Sequence, residues 1–392
     1  MNSITVNNSE IRFGRVITPI ILSVFAVYLT IGMTLGVLPG FVKNDLKFDS
    51  VIVGLVIGLQ SLATLLTRAY SGKLTDTKGA ATSSRRGIYL IVISGIMYIS
   101  ATFSIGNLWL ALVLVIIARI IHGISESLSI TGALTRGIAL VGAQKSGKVM
   151  TWNGIAMYSG IALGVPLSIW MKGAFGIIYV FTAMIVLSAI SWLATSKLPV
   201  VVVEAGSVRP PFYKVIGLVS GQGLGLAFAA VGFACISSFI SLLFASRGLG
   251  NPSSAFISFG GCYILTRVFC SSYPDRFGGY KVAIISLVIE LFGQLLIWYS
   301  ASALVAVIGC GITGIGFSLI FPSLGVLAIK KVSPQMRGTA LGAYAAFFDL
   351  SLGITGPIAG IVASWYSYQA IYLFGGISCL LAILILFFSR NR

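Results

Sequence analysis

Thr67-Arg68-Ala69-Tyr70-Ser71-Gly72-Lys73-Leu74-Thr75-Asp76-Thr77-Lys78-Gly79 returns 199 positions later as Thr266-Arg267-Val268-Phe269-Cys270-Ser271-Ser272-Tyr273-Pro274-Asp275-Arg276-Phe277-Gly278. Threonine, arginine, aspartate and glycine recur in register, each copy at the end of a long apolar run. Only 9% of the residues are charged. An arginine inside a bilayer is costly enough that its recurrence marks a constraint rather than drift. The chain therefore reads as two copies of one membrane module.

Composition points the same way. The chain is 57% hydrophobic with a mean hydropathy of +1.02, outside the range of soluble domains. Its 46 glycines suit close helix packing. Twelve runs reach the roughly 20 apolar residues that a spanning helix needs. They lie near 16–42, 51–72, 87–105, 108–134, 149–171, 174–196, 214–245, 252–272, 281–299, 303–328, 338–364 and 368–388.

A net charge of +17 invites a nucleic-acid partner, but its distribution excludes one. With the N-terminus inside, nineteen of the 26 Lys and Arg fall on inner segments. Four (Lys43, Lys47, Lys172, Arg247) fall outside, and three (Arg68, Arg119, Arg267) lie within spans. This is the positive-inside bias, and it predicts cytoplasmic termini on a multi-pass protein of a bacterial inner membrane. Five cysteines all sit within spans without CxxC spacing, so buried free thiols are expected rather than disulfides or a metal site. Residues 1–15 lack an apolar core, which predicts no cleaved signal.

The repeat extends beyond its first block. Gly123-Ile124 and Ser127-Leu128 return 191 positions on as Gly314-Ile315 and Ser318-Leu319. At that same offset Val141, Gln144, Gly147 and Pro166 meet Val332, Gln335, Gly338 and Pro357. The offset falls from 199 partly because Ala80–Ser84 is an insertion in the first copy. Two six-helix bundles follow, 1–196 and 214–392, joined by a polar, proline-bearing inter-half loop over 197–213. Two six-helix halves in one orientation are the arrangement of parallel-repeat transporters.

The loop motifs carry a family resemblance. Gly72-Lys-Leu-Thr-Asp76-Thr-Lys-Gly79, with Arg85-Arg86 after it, resembles the major facilitator superfamily signature G-x-x-x-D-R-x-G-R-K between spans 2 and 3. Asp275-Arg276-Phe277-Gly278-Gly279-Tyr280-Lys281 resembles its partner between spans 8 and 9. Thr77 and Ser271 depart from the pattern. Arg119-Ile-Ile-His122-Gly123 resembles the span 4 pattern R-x-x-x-G. Gly160-x-x-x-Gly164-Val165-Pro166 is a partial antiporter motif, echoed by Gly353-Ile-Thr-Gly356-Pro357 in span 11. Tyr28-Leu-Thr-Ile-Gly32, Trp152-Asn153-Gly154 and Asp349-Leu-Ser-Leu-Gly353 are similar to the bacterial sugar-efflux-like permeases of the YhhS type. The resemblance implies an all-α major facilitator fold of twelve transmembrane helices. It also implies that Asp76, Asp275 and Arg276 latch one conformation, with Arg68, Gly356 and Pro357 as further conformational positions.

Six residues with a full charge at neutral pH lie inside spans: Arg68, Arg119, Glu126, Arg267, Glu290 and Asp349. Each needs a partner or a wet cavity, since bare charge in hydrocarbon is expensive. At about 1.5 Å per residue, Arg119 lies near the midplane and the others nearer the inner face. Arg119, His122 and Glu126 are spaced to form one stripe on span 4. The resemblance puts that span on the central cavity. Arg119 is then a candidate to orient a polar or anionic cargo and Glu126 to exchange a proton, against the alternative of a structural pair. His122 is the only histidine and is expected to be packed rather than titrating. Arg267 and Glu290 lie at similar depth on neighbouring spans, so a buried salt bridge is expected. Arg68 has no acid on span 3 and must look to Glu126 or Asp349. An acid whose partner lies on the other half is a natural switch, which makes Asp349 the leading proton-coupling candidate. Among neutral polar residues, Asn153 and Gln222 rank highest as cargo contacts, beside Gln60, Tyr158, Gln294 and Tyr344.

A secondary transporter exporting a small molecule by alternating access, driven by a proton gradient and needing no cofactor, is the expected function. The alternative within the class is proton-coupled uptake of a sugar or organic acid. Lys145-Ser146-Gly147-Lys148 lacks Walker spacing, which excludes ATP-driven transport on this chain. One histidine and nine acids argue against a membrane enzyme, and short tails argue against a membrane-embedded sensor. The expected partners are cargo, protons and lipid, with the protein acting as a monomer.

Overall fold

Long apolar segments leave the backbone no water to bond with, so each closes its own hydrogen bonds as helix. The computed structural model describes residues 13–142, 145–199, 212–332 and 337–389. Most of the inter-half loop, the repeat positions Gln144 and Gln335, and the basic residues Arg12, Arg209, Arg390 and Arg392 lie outside the described residues. The helices are α1 (Phe13–Gly40, continued by a π-helical turn Phe41–Asp45), α2 (Ser50–Lys78), α3 (Ala80–Phe103), α4 (Leu108–Val141), α5 (Ser146–Ala174) and α6 (Ile177–Ser196). Then come α7 (Phe212–Ser246), α8 (Ser253–Cys270), the short α9 (Tyr273–Phe277), α10 (Gly279–Trp298), α11 (Ala303–Lys330), α12 (Arg337–Trp365) and α13 (Ala370–Ser389). Twelve of them are long and apolar enough to cross a membrane, matching the twelve apolar runs one for one. Among the described residues there is no strand.

Several ends are capped as their sequences demand. Asp49, Asn107 and Ser302 accept from the backbone N–H three residues on, at 2.9, 3.1 and 3.5 Å. The repeat is written in the backbone too. Gly79 and Gly278, 199 positions apart, both take a φ near +90° (90° and 88°) and turn the chain into α3 and α10. An L-residue resists that conformation. The signature stretch itself is not a loop. The α2 helix continues to Lys78, with the Thr77 hydroxyl donating to Lys73 O at 2.7 Å, so Asp76 lies in its last turn. Asp275 lies within α9, and Ala80–Ser84 adds a turn to the start of α3.

Helices α1–α6 pack among themselves, as do α7–α13, and the two sets meet chiefly where α2 lies on α12 and α5 on α8. Glycines set these distances. A Cβ at Gly54 or Gly58 of α2 would strike the carbonyls of Gly356 and Gly353, and one at Gly360 would lie 2.5 Å from Ser50 O. Those contacts fall toward the face opposite the chain termini. Within the first set, Gly160 and Gly164 of α5 fit against the α1 backbone, where a Cβ on them would lie 2.7 Å from Leu29 N and 2.9 Å from Met33 N. Arg136 on α4, 2% exposed, donates to Thr195 O, Leu198 O and Pro199 O at 3.2, 2.5 and 3.2 Å. It thereby satisfies the free carbonyls at the end of α6.

Candidate functional site

A polar network joins α1, α2 and α4 and reaches α12. Glu126 on α4 is half-buried. Its carboxylate accepts from the Tyr28 hydroxyl at 3.0 Å and from Gln60 Nε2 at 2.9 Å. The Thr64 hydroxyl lies 3.2 Å from Oε2, the oxygen that Gln60 also reaches, and within 3.0 Å of Gly123 O. Three neutral donors thus gather on one acid, with no cation in direct contact among the described residues. Such a carboxylate can gain or lose a proton without breaking an ion pair.

One turn away, Arg68 on α2 donates through Nε to Asp349 Oδ2 on α12. Asp349 is 4% exposed, and the pair joins one six-helix set to the other. The structure thus resolves the choice left open for Arg68 in favour of Asp349 as its ion-pair partner.

Arg119 departs from expectation. It is 2% exposed, and its guanidinium is taken up by protein acceptors. Nε donates to Val56 O at 2.9 Å, Nη2 to Ile57 O at 2.6 Å, and Nη1 to Thr34 Oγ1 at 3.2 Å and to Gln60 Oε1. The residue expected to contact cargo is thus already engaged, and in this structure Arg119 pins α4 to α1 and α2. Gln60 is the residue that sequence reasoning undervalued, because its amide joins Arg119 on one side to Glu126 on the other. His122 is fully buried, with Nε2 3.1 Å from Thr30 Oγ1 and its ring edge-on to Tyr98.

The other expected cargo contacts are not drawn into this network. Asn153 is 9% exposed and donates to Met157 Sδ at 3.2 Å on its own helix. Gln222 is buried with its Oε1 lacking a hydrogen-bond partner among the described residues. The salt bridge expected between Arg267 and Glu290 is absent. Arg267 on α8 turns toward the other helix set, where its Nη2 lies 3.4 Å from the position of a Cβ on Gly154, and donates through Nη1 to Ser318 O at 2.8 Å. Glu290 on α10 faces inward to Gly232 and Gln294, its two oxygens without partners among the described residues. Similar depth did not mean a shared face. Of the loop residues, Asp275 and Arg276 are exposed, and Arg276 lies 5.4 Å from the Phe277 ring centre.

What no sequence motif flagged is an aromatic cluster where α5 meets α8. Tyr158 of α5 stacks on Tyr263 of α8 at 3.9 Å and meets Phe233 and Phe317 at 5.8 and 6.2 Å. Phe259 and Phe348 extend the group, and the Arg267 guanidinium lies 5.9 Å from the Tyr263 ring centre. A separate cavity of about 390 Å³ opens at the face opposite the termini, lined by Gly36, Ile169 and Lys172 of one set and Ser241, Ala245 and Pro252 of the other. Lys172 there pairs with Asp45 at 3.6 Å. Among the described residues no group of His, Cys, Asp and Glu could hold a metal ion.

Comparison with known proteins gives a consistent picture. The Major Facilitator Superfamily profile matches residues 20–250 and 222–392. An uncharacterized MFS-type transporter of Pseudomonas aeruginosa is 41% identical over 379 residues, covering 96% of this chain and 94% of the relative. Another from Salmonella typhimurium is 36% identical over 385 residues, 97% of each chain. In fold, a D-xylose–proton symporter superposes with a TM-score of 0.78 at 18% identity, over 95% of this chain and 97% of the symporter.

Proposed function

The chain belongs to the Major Facilitator Superfamily, and from that premise we propose that it is a proton-coupled exporter of a small molecule, working by alternating access between halves 1–196 and 214–392. The observation that carries this reading is the placement of its two acids. Glu126 rests on neutral donors, and beside it Asp349 holds Arg68 across the boundary between the halves.

The physics of that pair is what a coupled carrier requires. Two opposite charges about 4 Å apart attract by about 4 kcal/mol where the effective dielectric constant is about 20. Protonating Asp349 removes that attraction, and about 4 kcal/mol shifts a two-state ratio by about a thousandfold. A proton on Asp349 therefore loosens one tie between the halves, and its loss restores it. Glu126, held by neutral donors, is a second group that can take up a proton.

Direction and sidedness rest on sequence. The basic residues weight the face that carries the termini, which makes it cytoplasmic in a bacterial inner membrane. The α2–α12 glycine contacts then hold the halves together toward the outer side. The partial antiporter motifs Gly160-x-x-x-Gly164 and Gly356-Pro357 favour efflux, as does similarity to the YhhS-type permeases. Asp76, Asp275 and Arg276 act as the latch of the opposite conformation, and the protein works as a monomer without a cofactor.

Reconstituted vesicles with an imposed pH gradient test the assignment. Asp349→Asn keeps size and hydrogen bonding but cannot titrate, so it is expected to exchange cargo passively and to ignore the gradient. Full gradient-driven movement by Asp349→Asn, with loss in Glu126→Gln, would move the coupling site to α4 and leave Asp349 as a clamp.

A further inference from the structure

The two offsets of the repeat place the halves in structural register. A Cβ on Gly123 would strike Gln60 O, and one on Gly314 would strike Phe259 O. Gly314 is Gly123 plus 191, and Phe259 is Gln60 plus 199. The same offsets carry the acid network of the first half onto the aromatic cluster of the second. Gln60 becomes Phe259, Thr64 becomes Tyr263, Glu126 becomes Phe317, and Arg68 becomes Arg267. Even the residue that crosses the boundary has a mate: Asp349, which pairs with Arg68, maps onto Tyr158. Position for position, polar groups are replaced by rings and the arginine alone is kept.

Keeping the arginine without its acid is the informative part. Arg267 is 9% exposed and turned to the boundary between the halves, beside Gly154 of the first. No carboxylate lies within salt-bridge reach of it among the described residues. Its supports are one carbonyl, Ser318 O, and the Tyr263 ring. A cation held off water with no counter-charge is unfavourable, and an aromatic face offsets only part of that. At the position equivalent to Asp349, whose carboxylate meets Arg68, stands the ring of Tyr158, stacked at 3.9 Å on Tyr263.

We infer that the cargo is an organic anion with an aromatic body. Its carboxylate pairs with Arg267, and its ring takes the place of Tyr158 against Tyr263, Phe233 and Phe317 when the halves part. Tyr158 then acts as an internal stand-in that fills the site in this closed arrangement. Stacking on flat rings gives the body affinity, and a planar guanidinium selects carboxylate geometry. This inference rests on the transporter reading, since only an alternating boundary lets Tyr158 withdraw.

The test is equilibrium binding to the purified full-length protein, with phenylacetate and its neutral amide, phenylacetamide, as probes. Thermal unfolding is followed as each is titrated. Phenylacetate is expected to raise the unfolding temperature saturably, and phenylacetamide to leave it unmoved. Arg267→Gln should weaken phenylacetate binding at least tenfold, with Arg267→Lys recovering part. Tyr158→Asp supplies an internal acid to Arg267, as Asp349 does to Arg68, and should abolish phenylacetate binding while the protein elutes as a folded monodisperse species. This variant decides the matter if Arg267→Gln does not fold. An equal response to the amide, no response to phenylacetate, or undiminished binding in Tyr158→Asp overturns the inference. No proton gradient enters the measurement, so the coupling role of Asp349 can fail while this holds, and the reverse.

Discussion

Gly54→Ala asks whether the α2–α12 seam sets the balance between the two arrangements of the halves. The new Cβ would meet Gly356 O, lie 2.6 Å from Gly356 C and 3.1 Å from Pro357 N. All three are backbone atoms, so no side chain can rotate away and the helices themselves must separate. Overpacking of this kind costs about 1–3 kcal/mol. Alanine also gains helix propensity over glycine, about 1 kcal/mol, but it does so in every conformer and leaves their ratio alone. Taking about 2 kcal/mol against the closed seam, the ratio of closed to open at this face falls about thirtyfold. Spin labels at Lys47 and Asn251, both exposed at this face on opposite halves, read the separation, with Cys262 and Cys270 changed to serine. The distance distribution should move to longer values in Gly54→Ala. Gly72→Ala, where a Cβ meets nothing within 4 Å, should leave it unchanged. An unshifted distribution in folded Gly54→Ala would mean that the seam does not hold the closed state.

Three further outcomes follow from side-chain placement. Arg119→Gln should lower folded yield and unfolding temperature, because bonds from a charged donor contribute about 1.5–3 kcal/mol each and Arg119 makes several to α1 and α2; normal folding with lost transport would return it to a cargo role. Arg267→Gln and Glu290→Gln should be additive, with a coupling energy within about 0.5 kcal/mol of zero in a double-mutant cycle of unfolding; rescue of one by the other would revive the salt bridge. A reporter fused after Arg392 should be cytoplasmic and one inserted near Asn107 or Ser302 external; an external C-terminus would invert the assigned sidedness.

The number and order of the apolar helices were legible in the sequence because hydropathy is a one-dimensional property. All twelve spans and the two copies could be counted from apolar runs and a repeated motif. Helix ends were less so. Polar residues such as Lys73 and Asp76 end an apolar run without ending the hydrogen-bond ladder, and α2 stops only where Gly79 takes a positive φ. Direction around each helix was the real gap. Arg267 and Glu290 share a depth but face different neighbours, and Arg119 is satisfied largely by carbonyl oxygens that every sequence possesses.

One signal for the aromatic cluster was nevertheless present. What the two copies of the repeat share are helix-packing glycines and the two arginines. What they do not share is where the halves divide their labour. The offset that pairs Arg68 with Arg267 also pairs Glu126 with Phe317 and Asp349 with Tyr158. Identical residues at paired positions report the packing both copies need, since Gly123 and Gly314 each admit a neighbouring carbonyl. Positions where a retained arginine loses its acid report a change of partner. A buried cation has to be answered by an anion or by a set of neutral acceptors such as Arg119 has, and Arg267 has one carbonyl and one ring. When one copy of a duplicated site answers it internally and the other does not, the second copy is the place to look for a ligand.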